Sequence, residues 1–522
     1  MSADLALTDA HVLTMNQAQP RAEAIAVKGN RILRVGSNIE IGKLIGKTTQ
    51  VICLKGKTVL PGFIDTHIHV ADFGRSLLWM VLDGVTSIKE LQDYLKKRVE
   101  NTPKGKWIMG RGWNQSCFKE KRLPTRFDLD AVSPENPIVL YHQSRQLCVV
   151  NSKALQLAGV TNQTSPPSGG VIDKATETAE LTGILRENAT NLIWAVIPEP
   201  SEEELAEAAG WACEKILEAG VTSVHWMVLS SIEFSIIRML LAQNRLPIRV
   251  YLVIPANLLD NIASFRSHDS LTLKVGGAMI SADGYLAAKT AALLQPYSDD
   301  TANNGKLLCT QTEMYSVATK ILKMGLQLVI HAMGDRAVDV ALATLEQVST
   351  ETPRKDRRNR IEQAAVLNKG LIERMKRQKV IVSVQPCVIA SEFSVWSATE
   401  HLGSERNRWL YPLKALLKGG LRVVGGSDCP MEPLNPLLGI QMAVAREYFP
   451  EERITVDEAL RIYTIDAAYS SSEESIKGSI KLGKIADFTV LSHNPLSMSP
   501  HTIKDIAIEM TIVGGQVVYS KH

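Results

Sequence analysis

This 522-residue chain has almost no excess of positive or negative charge, and it has no long apolar run. Its 58 Lys and Arg residues nearly balance 55 Asp and Glu residues, which leaves a net charge of +3. No basic run carries the interleaved aromatic side chains of a nucleic-acid surface. No apolar segment approaches the roughly 18 residues of a membrane helix, and the first residues lack the basic and apolar parts of a secretory signal. We therefore expect a soluble protein that acts on a small molecule, without a nucleic-acid or membrane partner.

Cysteine is also scarce. The seven cysteines are odd in number and form no Cys-x-x-Cys pair, which argues against a disulfide framework and favours a reducing, cytoplasmic location. At about 100–200 residues per domain, the length predicts two to three domains. The sequence is compatible with a homo-oligomer but does not specify one.

Four potential metal ligands lie far apart in the chain, each where an apolar, strand-like run ends: His67, His69, His331 and Asp428. Side chains alternate along a strand, so the pair His67 and His69 can share one face. Three imidazoles and a carboxylate form a ligand set for a divalent transition metal. Such a metal lowers the pKa of a water molecule bound at its open position to roughly 7. The sequence therefore predicts a metal-dependent hydrolase.

Two of these residues could have a structural role instead of binding a metal. His331 could be a hydrogen-bonded core histidine, and Asp428 could cap a helix because Pro430 follows it. The strand-end position of both residues favours metal binding, and a carboxylate facing a metal can also accept a proton from water, so Asp428 is the candidate general base. His225, at the end of another predicted strand, is either a pocket residue or a packing residue beside Trp226.

Helical patterns alternate with short buried strands through most of the chain. The capping box Thr310-x-x-Glu313, for example, opens a helix that ends at Gly325, and an apolar strand follows. Eight candidate strands are indicated, at residues 62–67, 221–225, 248–254, 273–281, 326–331, 360–365, 380–385 and 422–428. Eight strands alternating with helices predict a (β/α)₈ TIM barrel, whose active site lies at the carboxyl ends of the strands.

Both ends of the chain carry hairpin signals instead, in which short β-branched runs are joined by Gly29-Asn30 and by Gly514-Gly515. They predict a small composite β-sandwich domain formed by both termini. The predicted boundaries are 1–60 and 475–522 for this domain and 61–474 for the barrel domain, with an insertion at about 70–200 that is too long for one crossover.

Ordered motifs extend through nearly the whole chain. They are Leu60–His69, Trp107–Trp113, Ala282–Gly284, His331–Asp335, Arg360–Glu362, Gly426–Asp428, Glu432–Leu437, Tyr463–Ala468 and Gly483–Phe488. Together they resemble the amidohydrolase superfamily, specifically its YtcJ-like branch (amidohydrolase family 3), which includes N-substituted formamide deformylase. The resemblance implies a barrel with a composite sandwich, and hydrolysis of an amide or related non-peptide C–N bond through metal-activated water.

The sequence departs from the family pattern at three polar positions. A family Lys that can be carboxylated to bridge two metals is matched by Met279, and the His of a family Arg-Ile-Glu-His motif is matched by Gln363. In the insertion, Arg145-Gln146 replaces a family Gly-His segment. A thioether is a poor zinc ligand and an amide is a weak one, so a two-metal centre is disfavoured. The remaining set resembles that of single-metal amidohydrolases of the cytosine deaminase type, with zinc or another divalent transition metal.

Three hypotheses follow. The favoured one is a mononuclear zinc hydrolase in which Asp428 is the general base and Gln363 orients the carbonyl, although an amide cannot carry a proton. The second is a lyase or isomerase that uses the same metal as a Lewis acid. The third is a catalytically degenerate barrel that binds a ligand. The residues predicted to contact substrate are His225, Met279, Trp113 and Gln146, while the identity of the substrate is not specified.

Overall fold

The computed structural model describes residues 2–144, 146–262, 265, 270–351 and 356–521. The chain divides into two compact units, and the first combines Met1–Phe73 with Ala209–His522. The second unit is Gly74–Ala208. Among the described residues, no helix combines the length and the apolar character that crossing a bilayer requires.

An eight-stranded parallel sheet forms the centre of the first unit. Its strands, in chain order, are Phe63–Ile68, Val221–Met227, Arg249–Pro255, Leu273–Ser281, Gln327–Ala332, Arg360–Gln363, Ile381–Val384 and Arg422–Gly425. Each strand pairs in parallel with the next one along the chain. The Asp428 N–H donates to the His67 carbonyl at 2.8 Å, which joins the carboxyl ends of the eighth and first strands. The predicted (β/α)₈ barrel is confirmed.

Two of these strands end at least two residues earlier than predicted. The sixth strand stops at Gln363 and the eighth at Gly425, two and three residues before the expected ends. The backbone turns left-handed at Gln363 (φ 69°), Ala364 (φ 43°) and Asp428 (φ 61°). Extended backbone does not continue beyond such residues, so the sixth strand ends at Gln363 and residue 428 lies outside the eighth strand. The apolar pattern alone does not reveal these turns.

In the described residues, α-helices lie between most consecutive strands of the eight-stranded sheet. The α-helices of the described residues are Asn38–Gly42, Val70–Leu77, Ile88–Glu100, Arg126–Asp130, Ser152–Leu157, Asn191–Trp194, Glu202–Glu218, Ile232–Ala242, Gln311–Lys323, Asp335–Glu351, Lys369–Gln378, Pro386–Ser394, Ala398–Arg406, Leu413–Lys418, Pro436–Ala445, Val456–Ile462 and Ile465–Ser470. The predicted capping box is present: the Glu313 N–H donates to the Thr310 hydroxyl, and the Glu313 carboxylate accepts from the Thr310 N–H at 2.8 Å. This local signal fixes where the helix before the fifth strand begins.

Two further sheets of the first unit are built from both ends of the chain. The four-stranded sheet contains Leu5–Thr8, Ala24–Lys28, Arg31–Gly36 and Gln50–Cys53, and the six-stranded sheet contains His11–Leu13, Arg21–Ala22, Thr58–Pro61, Phe488–Leu491, Ile508–Val513 and Gln516–Ser520. The strand Phe488–Leu491 pairs antiparallel with Thr58–Pro61, and the two sheets share an apolar core that includes Leu7, Ile25 and Ile512. The predicted composite β-sandwich from both termini is confirmed.

The second unit contains a six-stranded sheet with apolar side chains on both faces. Its strands are Met80–Val81, Ile108–Trp113, Ile138–His142, Leu147–Val150, Gly170–Lys174 and Leu181–Glu187. Along one central strand, Ile138 and Leu140 belong to one apolar cluster while Val139 and Tyr141 belong to another. This alternation is what a strand covered on both faces requires.

Candidate metal centre

The carboxyl ends of the first and eighth strands bring His67, His69 and Asp428 together. Potential ligand atoms of the three residues all lie within 4.8 Å of one another. Asp428 Oδ1 is 3.5 Å from His67 Nε2 and 3.4 Å from His69 Nε2. Two imidazole nitrogens and a carboxylate oxygen that face one point provide the donor chemistry that zinc and similar cations use.

His331 lies at the end of the fifth strand but outside this group of three. Both of its ring nitrogens are buried and lack a hydrogen-bond partner among the described residues, and the nearest carboxylate, that of Asp283, is 3.9 Å away. Burial, aided by His67, lowers the pKa of His331 to about 4, so the imidazole is neutral at pH 7. The structure thus brings three of the four predicted ligands together and leaves the fourth with unsatisfied donor atoms on the same rim.

Glycine at position 426 allows the eighth strand to approach the first. A Cβ atom on Gly426 would lie 2.5 Å from the His67 backbone nitrogen and 2.6 Å from the His67 Cβ. Asp65 Oδ1 accepts hydrogen bonds from the N–H groups of His67 and Ser427, each at 3.0 Å. The close backbone approach and the shared carboxylate hold the two strand ends in register.

We expect Gly426→Ala to lower the free energy of unfolding by about 1–3 kcal/mol, because the added methyl group forces the two strands apart. Zinc binding should weaken at the same time, since the same shift separates His67 from Asp428. Denaturant unfolding and zinc titration measure the two effects. Gly42→Ala is the matched control, because no atom lies within 4 Å of a Cβ atom built there. Equal stability of the two variants would contradict the close-approach argument.

A buried chain of hydrogen bonds supports the His67 ring through its Nδ1 atom. His67 Nδ1 is 2.7 Å from Glu362 Oε2, and Glu362 Oε1 accepts from Arg360 Nε. Arg360 also donates to His225 Nδ1 at 2.6 Å and to the Thr66 carbonyl at 2.6 Å. The side chains of Arg360 and Glu362 have no exposed surface. Each charge is therefore compensated inside the barrel rather than by water.

The charges in this chain fix the orientation of the His67 ring. Burial acts to raise the pKa of Glu362, but Arg360 and His67 outweigh it and lower this pKa to about 2. Burial likewise acts to lower the pKa of His67, but Asp428 and Glu362 outweigh it and raise this pKa. An ionised Glu362 accepts the Nδ1–H proton, so Nε2 is the nitrogen that His67 presents to Asp428. Metal-binding histidines are commonly oriented by a carboxylate in this way.

Gln363 lies beside Asp428 with a fixed amide orientation. Its Nε2 donates to Asp428 Oδ2 at 3.2 Å, and its Oε1 accepts from the Tyr411 hydroxyl at 2.9 Å. Both Gln363 and Tyr411 are buried. The amide nitrogen carries two hydrogens, so one N–H remains for another acceptor.

The surroundings of Met279 and His225 differ from those of residues that form polar contacts with a substrate. Met279 packs against an apolar cluster that contains Met227, Tyr251, Val253 and Val329. His225 has no exposed surface, and burial together with Arg360 lowers its pKa well below the usual value. For His225, the packing alternative fits this environment better than substrate contact.

Trp113 and Gln146 belong to the second unit. Trp113 has no exposed surface, its Nε1–H donates to the Leu140 carbonyl at 3.0 Å, and its ring contacts those of Phe118 and His142. Gln146 is exposed, while its neighbour Arg145 lies outside the described residues. Trp113 therefore has the environment of a core residue, and the substrate roles of both residues stay predictions.

Sequence reasoning missed the residues that support the ligands. The motif that contains Arg360 and Glu362 did not by itself predict this role, although two charged residues at alternate positions of a buried strand indicate that a polar partner faces them. Asp65 precedes the His-x-His pair by two residues and carried the same signal. Tyr411 has no sequence signal, because it reaches Gln363 only through the fold.

Comparisons with known proteins agree with this architecture. The sequence profile of the amidohydrolase family matches residues 50–519. The YtcJ protein of Bacillus subtilis is 33% identical over 98% of both chains, and N-substituted formamide deformylase of Arthrobacter pascens is 29% identical over 99% of this chain and 98% of that protein. The crystal structure of an uncharacterized metal-dependent hydrolase from Pyrococcus furiosus superposes with a TM-score of 0.74 at 30% identity, covering 94% of this chain and 100% of that one. The resemblance inferred from the sequence motifs is confirmed, and the chain belongs to the amidohydrolase family.

Proposed function

We propose that this protein is a metal-dependent hydrolase that cleaves a non-peptide C–N bond of a small molecule. The observation that carries the proposal is the convergence of His67, His69 and Asp428 within 4.8 Å. The similarity to N-substituted formamide deformylase supports an amide-type substrate. The proposal includes a cytoplasmic location. All seven cysteines are free thiols, which supports such a location.

The residues present fit a single zinc ion or a similar divalent cation. His67, His69 and Asp428 would hold it, and the unsatisfied ring nitrogens of His331 make that residue the candidate fourth ligand. When bound, such an ion acidifies a water molecule and polarises a carbonyl group. The apolar surroundings of Met279 support one ion rather than two, because a bridging ligand is missing there.

Asp428 and Gln363 supply the remaining chemistry of the proposal. The Asp428 carboxylate accepts a proton from the attacking water and passes it to the leaving nitrogen. Gln363 holds one oxygen of that carboxylate through the 3.2 Å hydrogen bond, and its second N–H is available to a substrate carbonyl. Tyr411 fixes the direction of the amide, so it acts as a positioning residue.

Oxygen-18 labelling tests the reaction class. The zinc-loaded protein is incubated with a panel of N-substituted formamides in oxygen-18 water, and the products are analysed by mass spectrometry. Hydrolysis predicts a free amine and formate that carries one solvent oxygen. Products without solvent oxygen would favour the lyase or isomerase alternative, and a zinc-loaded protein without turnover on amides would favour the ligand-binding alternative.

We expect Gln363→Ala to retain zinc and to lower kcat roughly 100-fold, the usual cost of losing one preorganised hydrogen-bond donor. Zinc is retained because the ligand atoms of His67, His69 and Asp428 are unchanged. Metal analysis and steady-state kinetics check the two parts. Gln243→Ala, at an exposed position, is the control. A Gln363→Ala enzyme with normal kcat would show that the amide takes no part in the reaction.

A further inference from the structure

The connection that follows the fourth barrel strand is long and irregular. It comprises residues 282–310, between the strand Leu273–Ser281 and the helix Gln311–Lys323, and it contains neither a helix nor a strand. Irregular connections of this length in a compact domain usually serve a function. In a TIM barrel, the loops that follow the strands lie on the rim that carries the active site. This loop therefore lies on the same rim as the candidate metal centre.

A buried carboxylate ties the beginning of this loop to the end of the fifth strand. The carboxylate belongs to Asp283, which is 2% exposed. Its Oδ1 accepts a hydrogen bond from the Met333 N–H at 2.9 Å. Its Oδ2 accepts from the N–H groups of Gly334 at 2.8 Å and Ala292 at 2.9 Å. Met333 follows the candidate ligand His331 by two residues, so the first residues of the loop are held beside His331.

Tyr285, two residues after Asp283, has a fixed backbone position. Its N–H donates to the Thr290 hydroxyl oxygen at 2.9 Å, and its carbonyl accepts from the N–H groups of Thr290 at 3.0 Å and Ala291 at 3.1 Å. The preceding glycine makes this close turn possible, because a Cβ atom on Gly284 would lie 2.2 Å from the Thr290 hydroxyl oxygen. The loop therefore holds the backbone of Tyr285 without help from the tyrosine side chain.

The Tyr285 side chain contacts His331 and is nevertheless largely exposed. The centroid of its ring lies 5.5 Å from that of the His331 ring, yet Tyr285 is 58% exposed. Single exposed apolar side chains are common on protein surfaces and by themselves indicate no function. Tyr285 differs from these because its backbone is fixed, and because its neighbour His331 has two ring nitrogens without a partner among the described residues. A molecule that reaches His331 would therefore meet the exposed part of the Tyr285 ring.

We propose that Tyr285 determines substrate specificity, and that its ring packs against a planar apolar substituent on the nitrogen of the scissile bond. An aromatic side chain offers a large contact surface at a low cost in conformational entropy. Paired aromatic rings stabilise a complex beyond the burial of their apolar area. This role of Tyr285 rests on the proposed function, which places the scissile C–N bond at the metal centre. The packing itself does not require turnover and can be measured by binding.

Calorimetric titration of the zinc-loaded protein with two small probes tests this role. The probes are N-hydroxy-N-methylformamide and N-hydroxy-N-(2-phenylethyl)formamide, which share a zinc-binding group and differ only in the substituent on nitrogen. We expect the wild-type protein to bind the phenylethyl probe at least about tenfold more tightly, because its ring is buried and pairs with Tyr285. Equal affinity for the two probes would overturn the proposal without the need for any variant. Binding of neither probe would overturn the proposed metal centre as well.

Two substitutions at position 285 then locate the contact. Tyr285→Ser should raise the Kd for the phenylethyl probe at least about fivefold and leave that for the methyl probe unchanged. Tyr285→Phe keeps the ring and should bind both probes as the wild-type protein does. Tyr94→Ser, at a position that is 48% exposed, is the matched control and should change neither Kd. An unchanged preference for the phenylethyl probe in Tyr285→Ser would overturn the role of Tyr285. Failure to hydrolyse amides, with the Tyr285-dependent preference intact, would instead overturn the proposed function alone.

Discussion

Asp428→Asn is expected to lower kcat about 100- to 10,000-fold while the protein remains folded, because an amide cannot accept the proton that a carboxylate accepts. The substitution preserves shape, so the backbone hydrogen bond from Asp428 to His67 should persist. It also removes the one negatively charged donor of the ligand group, so zinc should bind less tightly. Steady-state kinetics on an N-substituted formamide, denaturant unfolding and a zinc titration measure the three effects.

The control for this prediction is Asp505→Asn, which removes a carboxylate from an exposed position and should leave all three measurements unchanged. If Asp428→Asn retained more than about a tenth of the wild-type kcat, a role as general base would be excluded, because such a role contributes at least about 100-fold.

Glu362→Gln is expected to lower the free energy of unfolding by about 3–5 kcal/mol, because it leaves the buried guanidinium of Arg360 without its carboxylate. Both side chains have no exposed surface, so water cannot compensate the charge. The variant should also bind zinc about 10- to 100-fold less tightly, since a neutral amide holds the His67 ring less firmly than a carboxylate. Denaturant unfolding gives the first quantity, and competition with a chelator gives the second.

Glu474→Gln is a matched control for this ion pair. Glu474 pairs with Arg358 at 2.8 Å, but its side chain is 32% exposed, and loss of such a pair costs about 1 kcal/mol or less. Its zinc affinity should be normal. A Glu362→Gln protein as stable as the Glu474→Gln protein would contradict the view that the buried chain of charges supports His67.

Local signals in the sequence were sufficient to predict the barrel and to place several potential metal ligands at strand ends. Buried parallel strands produce short apolar runs, and capping residues such as Thr310 mark where the helices begin, so the alternation of elements can be read directly. His67, His69 and Asp428 stood at strand ends, and the carboxyl ends of barrel strands share one rim. His331 was predicted by the same rule, and the structure places it on that rim but outside the group of three.

The supporting contacts could not be predicted, because they join residues that are distant in the sequence. Glu362 contacts His67 across 295 positions, and Tyr411 reaches Gln363 across 48. The early end of the sixth strand coincides with left-handed backbone at Gln363 and Ala364, which neither residue type demands. Such features follow from the packing of the whole barrel rather than from local propensity.

The most direct test is X-ray diffraction at the zinc absorption edge, from crystals of protein purified without chelators. We predict a single anomalous peak per chain, about 2.0–2.2 Å from His67 Nε2, His69 Nε2 and an oxygen of Asp428, with no second peak beside Met279. The absence of any peak between these three residues, after soaking in zinc as well, would contradict the assignment of a metal centre.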